Sequence, residues 1–329
     1  MAPFGRRVLL ASLPGAGVPL REARAQQDWP DRPVRLLLPV APGGPADGQA
    51  RLVGPRLAER LGQPVVVENR PGANGIVAAE LLARAAPDAN TLMLSPSGTY
   101  VINPSLYRSI PYDPFRDFAP VVLLSRVPLV LVAHPSVPAG SLGELLALAR
   151  ARPGGMAYAS AGSGTPSHLA MEMLRGMAPG PPPPLTHVPF NGSGPSLAAV
   201  AGGQVPIAIE AVFSASPLVR GGQLKALAAA GAARLALFPD LPTVAESGLP
   251  GFDAASWLAF LAPARTPPGR VRRLAAEITA ILRLPELRGR FLDLGAEPVG
   301  GTPEELEGFA RSEFEKWGRV VRDTGTTAG

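Results

Sequence analysis

Four hydroxyl-bearing residues and two glycines fall within the eight positions Ser160-Ala161-Gly162-Ser163-Gly164-Thr165-Pro166-Ser167, with no lysine or arginine among them. Hydroxyls and free backbone N–H groups of this kind suit a carboxylate, held by hydrogen bonds rather than by an ion pair. Thr165 reads as a helix N-cap and Pro166 as the first helical residue, so the loop ends on a helix N-terminus whose first N–H groups lack partners inside the helix. A second stretch, Ala41-Pro42-Gly43-Gly44-Pro45-Ala46, lets the backbone come close to a bound group and leads to Asp47, a credible N-cap. An ordinary strand-to-helix turn looks the same, and a carboxylate at Asp47 repels an anion, so for that residue capping competes with contact. Ser95 to Thr99 is a third loop of this type.

Other chemistries find less support. With no cysteine there is no disulfide, no thiolate metal site and no cysteine nucleophile. His134, His168 and His187 are too far apart for a helical metal pair, and no metal or cofactor is expected. His168 falls in a first helical turn, where positive charge is disfavoured, so a neutral packing or hydrogen-bonding role is expected. Ser163 and Ser193 sit between glycines without completing G-x-S-x-G, and no histidine is placed beside them by sequence. Dinucleotide and P-loop fingerprints are missing. A secreted hydrolase is the alternative from a different class.

The elements that must position these loops alternate. Val34 to Val40 is a short apolar run bounded by prolines, and strand and helix then alternate through Pro64–Glu68, Ile76–Ala86 and Leu92–Ser95, which implies a parallel sheet with helices on both faces. Val121 to Ala133 suggests a crossing into a second domain. A second series follows: helix Leu142–Arg152, strand Ala157–Ser160, helix Pro166–Met177, strand His187–Phe190, helix Ser193–Ala201, and strands Val205–Ile209 and Leu224–Ala230. Trp257 to Ala262 reads as the return, and helices Pro268–Leu282, Pro285–Leu294 and Pro303–Asp323 end the chain. Gly54-Pro55 implies a bend or restart in the first helix. Pro179 to Pro184 reads as a stiff spacer. In such α/β sheets ligands bind beyond the carboxyl ends of the strands, where all three loops lie.

Several long motifs recur in one order: PVVVENRPGANG (Pro64 to Gly75), IPYDPFRDFAPV (Ile110 to Val121), YASAGSGTPSHLAMEML (Tyr158 to Leu174), HVPFNGSGPSLAAVAGGQV (His187 to Val205) and FPDLPTVAESGLPGF (Phe238 to Phe252). From about Trp29 to Val321 the chain resembles the Bug-type family, extracytoplasmic substrate-binding receptors associated with tripartite tricarboxylate transporters. The resemblance implies an α/β two-lobe periplasmic binding protein fold of type II, with each lobe a mainly parallel sheet flanked by helices and the ligand between lobes that close by a hinge. Lobe 1 is expected over residues 26–127 and 251–329, and lobe 2 over 128–250. Carried onto matching positions, it implicates Ala41, Gly43, Gly44 and Asp47 from one side and Ser160, Gly162, Gly164, Thr165 and Ser167 from the other. Ser97 and Thr99 form a third edge. Asn191 is a candidate cleft rim. Glu210 stands where the family more often has aspartate, which puts a polar contact from that loop in question. The implied ligand is a small organic carboxylate, and the implied partners are membrane components of the transporter; presentation to a signalling receptor is the alternative.

Composition and the N-terminus bound the setting. A chain of 329 residues with 46% hydrophobic content suits two packed domains. Arg6 and Arg7 precede the mostly apolar Val8 to Leu20, and Ala23-Arg24-Ala25 offers cleavage, so residues 1–25 read as a signal peptide and the mature protein as periplasmic, monomeric and not lipid-anchored. The adjacent arginines also allow twin-Arg export. Losing that segment removes four arginines and one glutamate and lowers the net charge from +5 to +2, which gives no basis for nucleic-acid binding.

Overall fold

The computed structural model describes residues 29–327, so the expected signal peptide and its cut lie outside the described residues. The first strand, β1 (Val34–Leu38), buries four of its five residues. α1 (Pro45–Leu61) starts on Pro45 and stops at Gly62, whose φ of 73° supplies the left-handed C-cap. β2 (Val65–Asn69), α2 (Ile76–Ala83) and β3 (Thr91–Pro96) continue the alternation, and β1 pairs in parallel with both β2 and β3.

Two expectations for α1 are corrected. Its N-cap is Gly44, not Asp47: Pro45 opens the helix earlier than expected, and Asp47 falls in the first turn. Pro55 does not restart the helix, which runs unbroken from Pro45 to Leu61. Pro55 and Arg51 are both exposed, so the Arg51 carbonyl that loses its partner faces water and the missing bond costs little.

After β3 come a π-helical turn (Gly98–Ile102), α3 (Asn103–Leu106) and the sixteen-residue β4 (Phe118–Ala133). The next series is α4 (Leu142–Ala151), β5 (Met156–Ser160), α5 (Pro166–Met177), β6 (Leu185–Pro189), α6 (Ser193–Ala201), β7 (Ile207–Ala211), α7 (Val212–Arg220) and β8 (Lys225–Ala229). β9 (Ala255–Pro263), α8 (Pro268–Leu282), α9 (Pro285–Asp293), β10 (Glu297–Pro298) and α10 (Pro303–Thr324) complete the described chain. The strand expected over Val205–Ile209 lies two residues later, which puts Glu210 inside β7 rather than after it. α7 was not expected: it begins directly on β7 without a capping side chain and carries Pro217 in its interior.

The strands order as β2-β1-β3-β9-β4-β7-β5-β6, with β8 and β10 also paired to β4. β4 belongs to both halves. Up to Pro128 it pairs antiparallel with β9, and from Leu129 it pairs antiparallel with β7, with β8 joining from Val130. β5 is parallel to β6 and β7. Each half is thus a parallel set of strands joined through the antiparallel β4 and β9. Separate apolar clusters cover the sheet's faces: α1, α8 and α9 pack on one face of the first half, and α6 and α7 on one face of the second.

α10 opens on a capping box between Thr302 and Glu305 and packs on β4, the π-helical turn and α5, so it touches both halves. Its Glu313 accepts hydrogen bonds from Trp257 Nε1 at 2.9 Å and Trp317 Nε1 at 3.0 Å and pairs with Lys316. Lys316 also donates to the Asp253 carbonyl at 3.1 Å, which ties α10 to the start of β9. The polyproline connector is pinned to α4 by Arg150, which donates to the Pro179 carbonyl at 2.6 Å and the Pro181 carbonyl at 3.2 Å.

Candidate functional site

Beyond the carboxyl ends of β1 and β3 lies a cavity of about 250 Å³, closed on the far side by Thr165 and Pro166 from the second half. The near wall is built by a turn after β2. Gly72, Ala73, Asn74 and Gly75 have φ of 137°, 45°, 54° and 88°, a left-handed run that glycine and asparagine tolerate best. The turn is held by a reciprocal amide pair. Asn74 Nδ2 donates to Asn103 Oδ1 at 2.9 Å, and Asn103 Nδ2 donates to the Asn74 carbonyl at 3.0 Å. Thr99 Oγ1 also donates to that carbonyl at 3.2 Å and presses on Gly75, where a Cβ would come within 2.1 Å of it.

The loop after β1 frames the same opening, with Pro39 and Val40 on the cavity. Asp47 braces it: its carboxylate accepts from Gly43 N at 3.0 Å, Arg51 Nε at 2.9 Å and Asn69 Nδ2 at 3.0 Å. The Arg51 guanidinium, aided by the Gly43 and Asn69 bonds, outweighs burial and holds the Asp47 carboxyl at a pKa of about 2. These contacts tie the loop to the helix that follows it and to the end of β2.

Across the cavity the serine-rich loop is tied to itself. Thr165 caps α5, accepting from His168 N at 3.5 Å while donating to the Gly162 carbonyl at 2.7 Å. Ser167 Oγ accepts from Ala161 N at 2.9 Å. Ser160 Oγ lies 2.6 Å from His187 Nε2 and accepts from Gly162 N at 3.1 Å. Gly164 N donates to His168 Nδ1 at 3.0 Å, which leaves the ring proton of His168 on Nε2. His168 and His187 stack face to face, with centroids 3.7 Å apart and planes 6° apart. Burial above all, with the neighbouring His187 and Arg175, pushes the His168 pKa down to about 3; burial also lowers that of His187. Both rings are therefore neutral props beneath the loop at ordinary pH. Ser160 meets a histidine, but it is fully buried and does not line the cavity, so the pair clamps the loop.

Of the residues singled out from sequence, Thr99 and Thr165 line the cavity. Ser160, Gly162, Gly164 and Ser167 shape the loop behind Thr165. Ala41, Gly43, Gly44 and Asp47 form the loop flanking Val40, and Ser97 is buried with its hydroxyl unpartnered. Asn191 is exposed and Glu210 is buried in β7, both off the cavity. Ser193, Ser196 and the Ala211 backbone lie near the Glu210 carboxyl, but neither oxygen has a partner in hydrogen-bonding geometry, and burial raises its pKa. Val40, Asn74, Gly75 and Ser256 on β9 also line the cavity and were not singled out. The RPGANG motif, with asparagine between glycines, was the available signal for the turn. Among the described residues, no charged side chain lines this cavity.

The sequence profile described as tripartite tricarboxylate transporter family receptor matches residues 49–326. BugT of Bordetella pertussis is 38% identical over 301 residues, 90% of each chain. A structure described as R. palustris Rpa4515 with adipate superposes with a TM-score of 0.80 at 35% identity, covering 91% of this chain and 99% of that one. MatC from Rhodopseudomonas palustris with bound malate gives 0.76 at 36% identity, covering 89% and 100%. Fold and cleft together define a two-lobe solute-binding receptor of the periplasmic type. The chain belongs to the tripartite tricarboxylate transporter receptor family, with Bug proteins among its relatives.

Proposed function

We propose that this protein is exported to the periplasm, captures a small organic carboxylate between its lobes as a monomer, and passes it to the membrane components of a tripartite tricarboxylate transporter. The lobes are residues 26–127 with 251–329, and 128–250. The observation that carries the ligand class is the cavity itself: both lobes contribute to it, it lies at strand carboxyl ends, and its donors are backbone N–H groups and hydroxyls with no cation. Gly98 and Thr99 open a helical turn and Pro166 opens α5, so helix N-termini bear on the cavity from both sides. Ser256 brings a further hydroxyl to the cavity wall. The adipate and malate in related structures favour a dicarboxylate. Mass spectrometry of ligand released from gently purified protein, followed by calorimetric titration with malate, adipate and their chain-length neighbours, tests the proposal. Saturable binding of one of them supports it. Failure of every carboxylate to bind, or conversion of one into product, overturns it.

A further inference from the structure

The second lobe has another concave space, open to solvent, at the opposite end of its sheet from the cleft; Ser136, Arg152 and Gln204 on its wall are exposed. Its volume is about 230 Å³, and it sits where β4 ends and β5 and β7 begin, beside the last turns of α4 and α6. Five-residue strands separate it from the cleft end by ~16 Å. The polar side chains lining it are those of His134, Ser136, Arg152 and Gln204, and no aspartate or glutamate is among the lining residues.

The donor character of this set follows from its hydrogen bonds. His134 Nδ1 accepts from Ser136 N at 3.2 Å and lies 2.7 Å from Ser136 Oγ, so the imidazole carries its proton on Nε2. Arg152 makes no side-chain hydrogen bond or ion pair with another described residue, unlike Arg150 two positions earlier. Of the carbonyl oxygens at the two helix ends, those of Leu148 and Ala199 are bonded by Arg152 N at 3.1 Å and Gln204 N at 3.0 Å; the negative ends of both helices oppose an anion, so the Arg152 charge must outweigh them. Lys225 adds a fixed positive charge behind the wall, donating to the Val137 and Ala139 carbonyls at 2.5 and 2.8 Å and thereby stapling the turn that follows His134.

We infer that this space is a second anion site, distinct from the cleft, which takes a small oxyanion such as phosphate or a carboxylate through Arg152, His134 and Gln204. The guanidinium supplies charge, and the imidazole N–H and the carboxamide supply directed donors. The inference does not depend on what the cleft binds. The chain has three histidines, so side-chain NMR resolves His134 from the stacked pair. Titrating the full-length protein with inorganic phosphate, and separately with acetate, is expected to shift the His134 signals saturably while His168 and His187 stay in place. One anion saturating far earlier than the other identifies the oxyanion. Arg152→Ala should weaken the effect about tenfold or more, the loss of a hydrogen bond to a charged group. Gln204→Glu, which puts a carboxylate at the rim, should abolish it. The unchanged stacked-histidine signals serve as the folding control for both variants. His134 signals that do not move with either anion, or that drift without saturation and equally in Arg152→Ala, overturn the inference.

Discussion

Gly164 lies so close to Leu106 that a Cβ on Gly164 would come within 2.0 Å of Leu106 Cδ2. Gly164 belongs to the serine-rich loop of one lobe and Leu106 to α3 of the other, so the contact fixes how closely the lobes meet beside the cavity. Gly164 also has a φ of 74°, where a side chain is strained. Gly164→Ala is therefore expected to hold the lobes apart and weaken carboxylate binding about tenfold or more, an effect of at least ~1.4 kcal/mol. Leu106→Ala removes the obstacle, and in the double variant part of the affinity should return. A double-mutant cycle by calorimetry checks this; strict additivity would show that the two residues do not meet in the bound state.

Asn74 and Asn103 support the opposite wall. Asn103→Ala removes both amide bonds and leaves the Asn74 carbonyl with Thr99 alone, at an expected cost of ~0.5–1.5 kcal/mol per lost bond in chemical denaturation. Asn74→Gly keeps the left-handed backbone and should cost less than Asn74→Ala, which must also adopt φ of 54° with a Cβ. Equal losses in the two Asn74 variants would mean that backbone geometry is not what asparagine supplies there.

Stability should fall on acidification in two stages. The folded pKa of His168, about 3, lies below its unfolded value of 6.5, so the unfolded chain binds the extra proton between them. Its contribution is complete above about 6.5 and is lost as pH falls toward about 3. Asp47, depressed from 3.8 to about 2, adds a loss in the lower window, because its carboxylate is stabilised only while ionised. Thermal melts across this range should show the upper slope shrink in His168→Gln and the lower slope shrink in Asp47→Asn. A His168→Gln profile that parallels the parent would remove the histidine stack from the account.

Glu313 gathers Trp257 and Trp317 on one oxygen. Glu313→Ala leaves two buried indole N–H groups unpartnered, with an expected loss of ~2–6 kcal/mol, whereas Glu313→Gln keeps an acceptor and should lose less. Of the three tryptophans in the chain, two are in this knot, so their fluorescence should change on ligand binding if the lobes hinge here. Saturation without a fluorescence change, together with an unchanged radius in small-angle scattering, would argue against hinge closure.

Local signals carried the fold further than the site. Thr165 with Pro166, and Pro268, marked helix starts that the structure reproduces, because capping and proline chemistry act within a turn of the chain. The long run ending at Ala133 read as a crossing, and β4 does cross from one half of the sheet to the other. Pro55 implied a bend or a restart, and the restart does not occur, since whether its missing bond faces water depends on tertiary packing. Glu210 misled through a two-residue strand offset in a uniformly apolar segment. At the site, Ser256 follows Asn74 by just over half the chain, and the Ser160–His187 pair joins neighbouring strands. Only sheet topology brings such residues together, and no spacing rule points to them.

The central claim is that an uncharged cleft holds the carboxylate through hydroxyls and helix N-termini. A crystal structure of the protein with its released ligand, or with the tightest-binding member of the dicarboxylate series, tests it most directly. The expected result is a carboxylate seated between the Gly98–Thr99 turn and Thr165–Pro166, with no arginine or lysine nitrogen within about 4 Å of its oxygens. A ligand paired to Arg51 or to any other guanidinium, or one seated away from these loops, would contradict it.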